Sequence, residues 1–271
     1  MLELSEDVKK TVFVKLGGSA ITHKGKESQA NLPVIDLSSS QISELYNDFS
    51  LILAHGGGGF AHPVAERHNV SKGIEKCKSL GLANTRMAIQ DLNSIVLTSL
   101  LSKEVPALTI SPSTCSEMEN GRFTDFNLSP IHHAQKLGAV PLLHGDVVYD
   151  SVKGCSVAST EMIFSYLSTR IKPERIVIGA NVDGVFWDNP DNGKRELVEE
   201  INSRNLEDVL SAVEEPKTSD VTGGMRHKIE ELYNISKHKI EIFIVNLSKK
   251  NYLRGAILGK PEVGTRIKAG E

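Results

Sequence analysis

Apolar and polar positions along this chain follow two rhythms that take turns. Short apolar, β-branched runs read as strands: Thr11–Leu16, Leu51–Ala54, Pro106–Ile110, Ala139–Leu143, Arg175–Gly179 and Ile240–Val245. Between them, apolar residues at three- and four-residue steps predict helices over Val34–Asp48, Lys72–Glu104, Ile131–Leu137, Thr160–Arg170 and from Asp220 to about His238. Val147–Tyr149 and the turn at Ser151–Gly154 suggest a hairpin, and Gly264–Ile267 an edge strand. Ser111–Asn127 and Pro216–Ser219 read as polar loops and Asp191–Lys194 as a surface turn. Strands alternating with helices imply right-handed crossovers and a mostly parallel sheet covered on both faces, an α/β protein.

The Lys72–Glu104 pattern carries Leu80, Ala83, Met87, Leu92, Ile95, Val96 and Leu100 at helical spacing. Such a stripe serves either as core or as the wall of an apolar pocket.

Strand ends in a parallel sheet are where ligands bind, and here several of them run into glycine. His55-Gly56-Gly57-Gly58-Gly59-Phe60-Ala61-His62-Pro63 follows a strand and precedes a helical segment. Glycine allows positive φ and removes Cβ, so backbone N–H groups can approach an anion; the same residues also make a tight turn that binds nothing. His62 could donate to a phosphate or carboxylate oxygen or simply begin a helix. Lys15-Leu16-Gly17-Gly18-Ser19, His144-Gly145-Asp146, Asp183-Gly184 and Thr222-Gly223-Gly224 repeat the theme.

Composition narrows the chemistry. With 271 residues, 39% hydrophobic and 24% charged, the chain has the profile of an ordinary globular protein. A formal net charge of -3 implies no polybasic surface for nucleic acid or anionic membrane. Cys77, Cys115 and Cys155 lack ligand spacing, which suggests a reducing compartment and no zinc site. The acidic N-terminus has no apolar core of a signal peptide and no run is long enough for a membrane span, so a cytoplasmic protein is expected. Amide-rich turns and lysines, with no nucleophile triad and no P-loop, suit phosphoryl transfer, which needs positioning and charge neutralisation more than covalent catalysis.

These motifs, in this order along nearly the whole chain, resemble the amino acid kinase superfamily. The Phe60 and His62-Pro63 that follow the glycines resemble most the isopentenyl phosphate kinase branch. The resemblance implies an open αβα sandwich, a single domain over 1–271, with the acceptor half at about 1–170 and the nucleotide half at about 171–271. It implies ATP and Mg2+, a homodimer, and formation of isopentenyl diphosphate in isoprenoid biosynthesis, by way of the mevalonate pathway. Lys15, Lys24 and Lys228 would neutralise the transferring phosphoryl group. Gly17, Gly18, Ser19 and Gly58 would meet the ATP phosphates, and Asp183, Gly184 and Gly223 would help seat the nucleotide. Gly57, His62 and Ser159 would hold the acceptor, its prenyl tail lying beside the Leu80–Leu100 helix. No metal-ligating side chains are implied.

Three departures from the family pattern stand out. Ala61 replaces a glycine, Ala180-Asn181 a threonine-aspartate pair, and Ala158-Ser159-Thr160-Glu161 a Ser-Gly-Asp-Asp run. The first of those aspartates would organise the lysines, and Thr160 stands in its place, suited to a helix N-cap. Glu161 is then expected to point about 100° away, so that Thr160→Asp would strengthen the lysine clamp. Alternatives in the same fold are a fosfomycin-type kinase for another small phosphate or phosphonate, and a non-catalytic nucleotide-binding regulator.

Overall fold

Residues 9–188, 194–213 and 224–270 are described by the structure, a computed structural model. The strands are β1 (Thr11–Leu16), β2 (Ser50–His55), β3 (Ala107–Thr109), β4 (Ser116–Glu119), β5 (Arg122–Phe126), β6 (Val140–His144) and β7 (Asp146–Asp150). They continue with β8 (Gly154–Ala158), β9 (Arg175–Ala180), β10 (Phe186–Asp188), β11 (Arg195–Leu197), β12 (Glu200–Ile201), β13 (Glu241–Asn246) and β14 (Thr265–Ile267). The helices are α1 (Gly18–Ile21), α2 (Leu32–Ser43), α3 (Gly58–Arg67), α4 (Ile74–Ser102) and α5 (Pro112–Cys115). After these come α6 (Ser129–Lys136), α7 (Thr160–Ile171), α8 (Leu206–Ala212), α9 (Gly224–Ser236) and α10 (Tyr252–Leu258).

Eight strands form the central sheet in the order β12-β14-β13-β9-β1-β2-β6-β3. Every neighbouring pair is parallel except β13 with β14. The period of two along β1 divides its side chains between two cores. Val12, Val14 and Leu16 face one, packed under α2, α4 and α10; Phe13 faces the other, with α6, α7, α8 and α9. Apolar residues on both faces explain why the central strands read as continuous hydrophobic runs.

Four differences from the sequence reading have physical causes. Ser111–Asn127 is not a loop: it holds α5, β4 and β5, which join the β7–β8 hairpin in a second, four-stranded sheet. Strand β4 buries only Ser116 and Met118 and exposes Glu117 and Glu119, an alternation too short and polar to stand out. One carboxylate organises this lobe, since Asp150 accepts from the N–H groups of Asn120, Gly121, Val152 and Lys153 and from the Ser156 hydroxyl. The Gly264–Ile267 region is not an edge; β14 lies between β13 and the two-residue β12, which was too short to read. Helix α4 breaks at Lys78 (φ 56°, ψ 166°) although the apolar spacing runs on through it. Finally, Leu80 and Met87 match that spacing yet are 69% and 59% exposed.

Candidate active site

The site is built first by strand parity. Phe13 and Lys15 alternate onto the same face of β1, and Phe13 stacks against Phe164 of α7 with ring centroids 5.0 Å apart. Glu161 lies three residues before Phe164, one turn nearer the helix N-terminus. Two residues along the strand and one turn along the helix therefore bring Lys15 to Glu161, and the two form a close ion pair with side chains 10% and 18% exposed. Burial would raise the Glu161 pKa, but the charge and hydrogen bond of Lys15, with the charge of Lys228, hold it below the usual carboxylate value. The expectation that Glu161 faces away is thus overturned. It overlooked that the contact of Phe13 with Phe164 locks the helix phase, which the periods of 2 and 3.6 leave free until the two elements pack.

Thr160 has a different task from the one its position suggested. The N-cap of α7 is Ser159, whose hydroxyl accepts from Met162 N–H at 3.2 Å. Thr160 is buried, and its hydroxyl donates to His55 O at 3.1 Å, tying α7 to the end of β2. Ser159, expected at the acceptor, also fixes the helix that carries Glu161.

The two glycine turns pack directly on each other. A Cβ on Gly18 would lie 2.4 Å from Gly58 N, and one on Gly58, at φ 46°, would lie 2.5 Å from Gly18 O. Thr22, which the sequence reading did not single out, staples them: its hydroxyl donates to Gly18 O at 2.7 Å and accepts from Gly59 N–H at 2.9 Å. Much of the glycine requirement therefore comes from backbone approaching backbone. The N–H of Gly17, expected to meet ATP, donates instead to Gly179 O at 2.9 Å and closes β1 against β9. Gly18 and Ser19 open α1 and Gly58 opens α3, so their amides have no intrahelical acceptor. The Ala61 methyl occupies the space a Cβ on Gly57 would need, at 2.6 Å, and the His62 ring edge lies 3.6 Å from the same point. His62 is exposed beside that turn. Lys24 sits on an exposed turn whose neighbour Ser28 donates N–H to Gly59 O at 3.0 Å.

On the far side of β1, Asp183 accepts from Lys249 Nζ at 2.7 Å and Asn246 Nδ2 at 2.8 Å, and these bonds hold its carboxyl below the usual range. Lys249 and Asn246 carried no signal in sequence, since Asn246 ends the apolar run of β13 and Lys249 follows it among polar residues. Gly184 is required by close approach, because a Cβ there would lie 2.4 Å from Thr265 Oγ1. That hydroxyl accepts from Val185 N–H at 2.8 Å and donates to Val198 O at 2.7 Å. Lys228 lies one turn into α9. Gly223, with Pro216–Ser219, Asp191–Gly193 and the start predicted for this helix at Asp220, falls outside the described residues.

An eight-stranded, mostly parallel sheet with a buried lysine and paired glycine turns at its carboxyl edge defines a class, and the family match agrees. Residues 10–246 match the model of the Amino acid kinase family, and the chain belongs to that family. Within it the similarity is to isopentenyl phosphate kinases. The enzyme of that name from Methanothermobacter thermautotrophicus is 35% identical over 268 residues, covering 94% of this chain and 98% of its own. The one from Methanocaldococcus jannaschii is 32% identical, covering 96% and 99%. A crystal structure of an isopentenyl phosphate kinase superposes with a TM-score of 0.79 at 30% identity, covering 95% of this chain and all of that one (100%).

Proposed function

We propose that the protein transfers the γ-phosphoryl group of ATP to isopentenyl phosphate, giving isopentenyl diphosphate and ADP. The observation that carries the reading is the Lys15–Glu161 pair, within the field of Lys228, beside the packed glycine turns at one sheet edge. An acceptor that is already an anion needs no strong base. It needs charge screening and alignment with the γ-phosphorus, and here each has a candidate. Gly57 N–H and His62 would orient the acceptor phosphate. Lys15, Lys24 and Lys228 would offset charge on the transferring group, with Glu161 keeping Lys15 charged and aimed. The amides of Gly18, Ser19 and Gly58 and the Asp183–Gly184 turn would seat ATP. The described residues hold no cluster of three His, Cys, Asp or Glu side chains. Mg2+ would be held by the ATP phosphates, where it supplies further charge neutralisation.

Division into an acceptor half and a nucleotide half follows from this arrangement. A homodimer is supported by Leu80, Met87 and Leu101 on α4 and by Leu108 on the edge strand β3, which are 69%, 59%, 53% and 45% exposed. Among the described residues no helix is long and apolar enough to cross a membrane. An ADP-release assay with isopentenyl phosphate, fosfomycin and N-acetylglutamate tests the function. Turnover with the first alone supports it; turnover only with another acceptor, or ATP binding with no turnover, refutes it.

A further inference from the structure

Strands β2 and β6 are paired so that His55 lies opposite His144, and each is followed by glycine. Both rings are buried, at 0% and 2% exposure, with centroids 5.7 Å apart. Each folds back on the next carbonyl: His55 Nδ1 lies 3.1 Å from Gly56 O and His144 Nδ1 lies 3.1 Å from Gly145 O. A carbonyl only accepts, so Nδ1 carries the proton in both rings and each Nε2 needs a donor. For His144 the Ser111 hydroxyl supplies it at 3.3 Å.

For His55 the partner is the Asn93 carboxamide on α4. Its Oδ1 lies 3.2 Å from Nε2, and its Nδ2 lies 2.8 Å from Thr109 Oγ1. That orientation opposes two acceptors unless the ring is a cation. Burial, and next the neighbouring His144, push the His55 pKa down to about 4, which keeps the ring neutral. With the carboxamide turned over, Nδ2 donates to Nε2, the Thr109 hydroxyl donates to Oδ1, and every polar atom is satisfied.

Peptide planarity carries the consequence to the glycine turn. The Gly56 carbonyl and the Gly57 N–H share one rigid plane and point in opposite directions. Holding Gly56 O against the ring therefore aims the Gly57 amide away from it. We infer that Asn93 is a positioning residue for the acceptor phosphate: by donating to His55 Nε2 it fixes the Nδ1–H tautomer, which grips Gly56 O and orients the Gly57 amide. This rests on the proposed assignment of Gly57 to the acceptor.

The test combines 15N NMR of the histidine rings at about pH 7 with steady-state kinetics on the full chain. His55 in the wild type should be a neutral Nδ1–H imidazole. Asn93→Leu should lose that single tautomer and raise KM for isopentenyl phosphate about fivefold, the worth of one neutral hydrogen bond, with kcat and ATP KM within about twofold. Thr109→Val, a gentler change that frees the carboxamide to rotate, should move the same KM in the same direction. A wild-type His55 that is Nε2–H or cationic overturns the inference without any variant, as do folded Asn93→Leu and Thr109→Val proteins with unchanged acceptor KM. Failure of the acceptor assignment reads differently: His62→Ala would then leave acceptor KM unchanged while the Nδ1–H tautomer persists, overturning the effect on Gly57 alone.

Discussion

Two lysine–carboxylate pairs stand at the sheet's carboxyl edge, one on β1 and one beyond β9 and β13, and they differ in what surrounds them. Lys15–Glu161 is largely buried between β1 and α7, its side chains 10% and 18% exposed. Lys249–Asp183 is open, at 42% and 32%. An exposed pair is screened by water and salt and is worth about 0–1 kcal/mol, whereas removing one member of an enclosed pair strands a charge at a cost of several kcal/mol. The enclosed pair therefore has one geometry and suits alignment of a reacting group, while the open pair suits a ligand that must enter and leave.

The sharpest way to break this contrast is Lys15→Met. It should lower kcat about 10²–10³-fold, the effect of deleting one preorganised donor to a transition-state charge, with circular dichroism showing a folded protein. Glu161→Gln should come next, with kcat down about tenfold or more and acceptor KM nearly unchanged, since it keeps a hydrogen-bonding group but not the charge that balances Lys15. Thr160→Asp should lower kcat and thermal stability, because it replaces the donor to His55 O with a carboxylate facing a carbonyl. A Thr160→Asp protein with raised kcat would show that the lysine clamp takes its charge from position 160 after all.

Acid should separate the regions more gently. The His55 pKa is about 4 in the fold against an ordinary 6.5, so the unfolded chain takes up the proton first and stability falls as pH drops through that window. Glu161 acts later: its carboxyl is held below its ordinary 4.5, so its contribution is present above that value and is lost as pH falls through the folded pKa. Melting temperatures across this range should show an early decline that His55→Asn lessens, where His144 is pushed down by burial as well, and a later one that Glu161→Gln lessens, shared with Asp183 and Asp150. The smallest effect should be at the open pair. Asp183→Asn should raise ATP KM by about threefold or less, and added salt should shrink the difference.

How much of this was legible in sequence depended on the length of the repeating signal. Central strands with both faces buried announce themselves over five or six residues, and the glycine turns mark the edge they feed. Strand β12 has two residues and β4 has four with charged outer positions, so neither rises above loop composition. In the site, Lys15 was legible only through the family resemblance, because a lysine ending an apolar strand reads by itself as an edge-strand charge. Glu161 was misread because its direction depends on the phase of α7 against β1, which the Phe13–Phe164 contact sets, and Lys15 and Glu161 themselves lie 146 residues apart in sequence. The Thr22 staple and the Asn246 and Lys249 partners of Asp183 are single polar residues in polar surroundings, and only the fold gives them neighbours.

The place of β14 also bears on how the protein is made. Synthesis delivers β12 and the Gly184 turn long before Thr265, yet among the described residues β12 pairs only with β14, and the Thr265 hydroxyl bridges Val185 to Val198. A nascent chain can assemble β1, β2, β6 and β9 while still emerging, since domains form largely from the N-terminal side. The turn carrying Asp183 must wait for the last strand to slot in. Activity should therefore appear only once β14 has been made, and a message cut short before the codon for Thr265 should yield a partly assembled sheet that quality-control proteases clear.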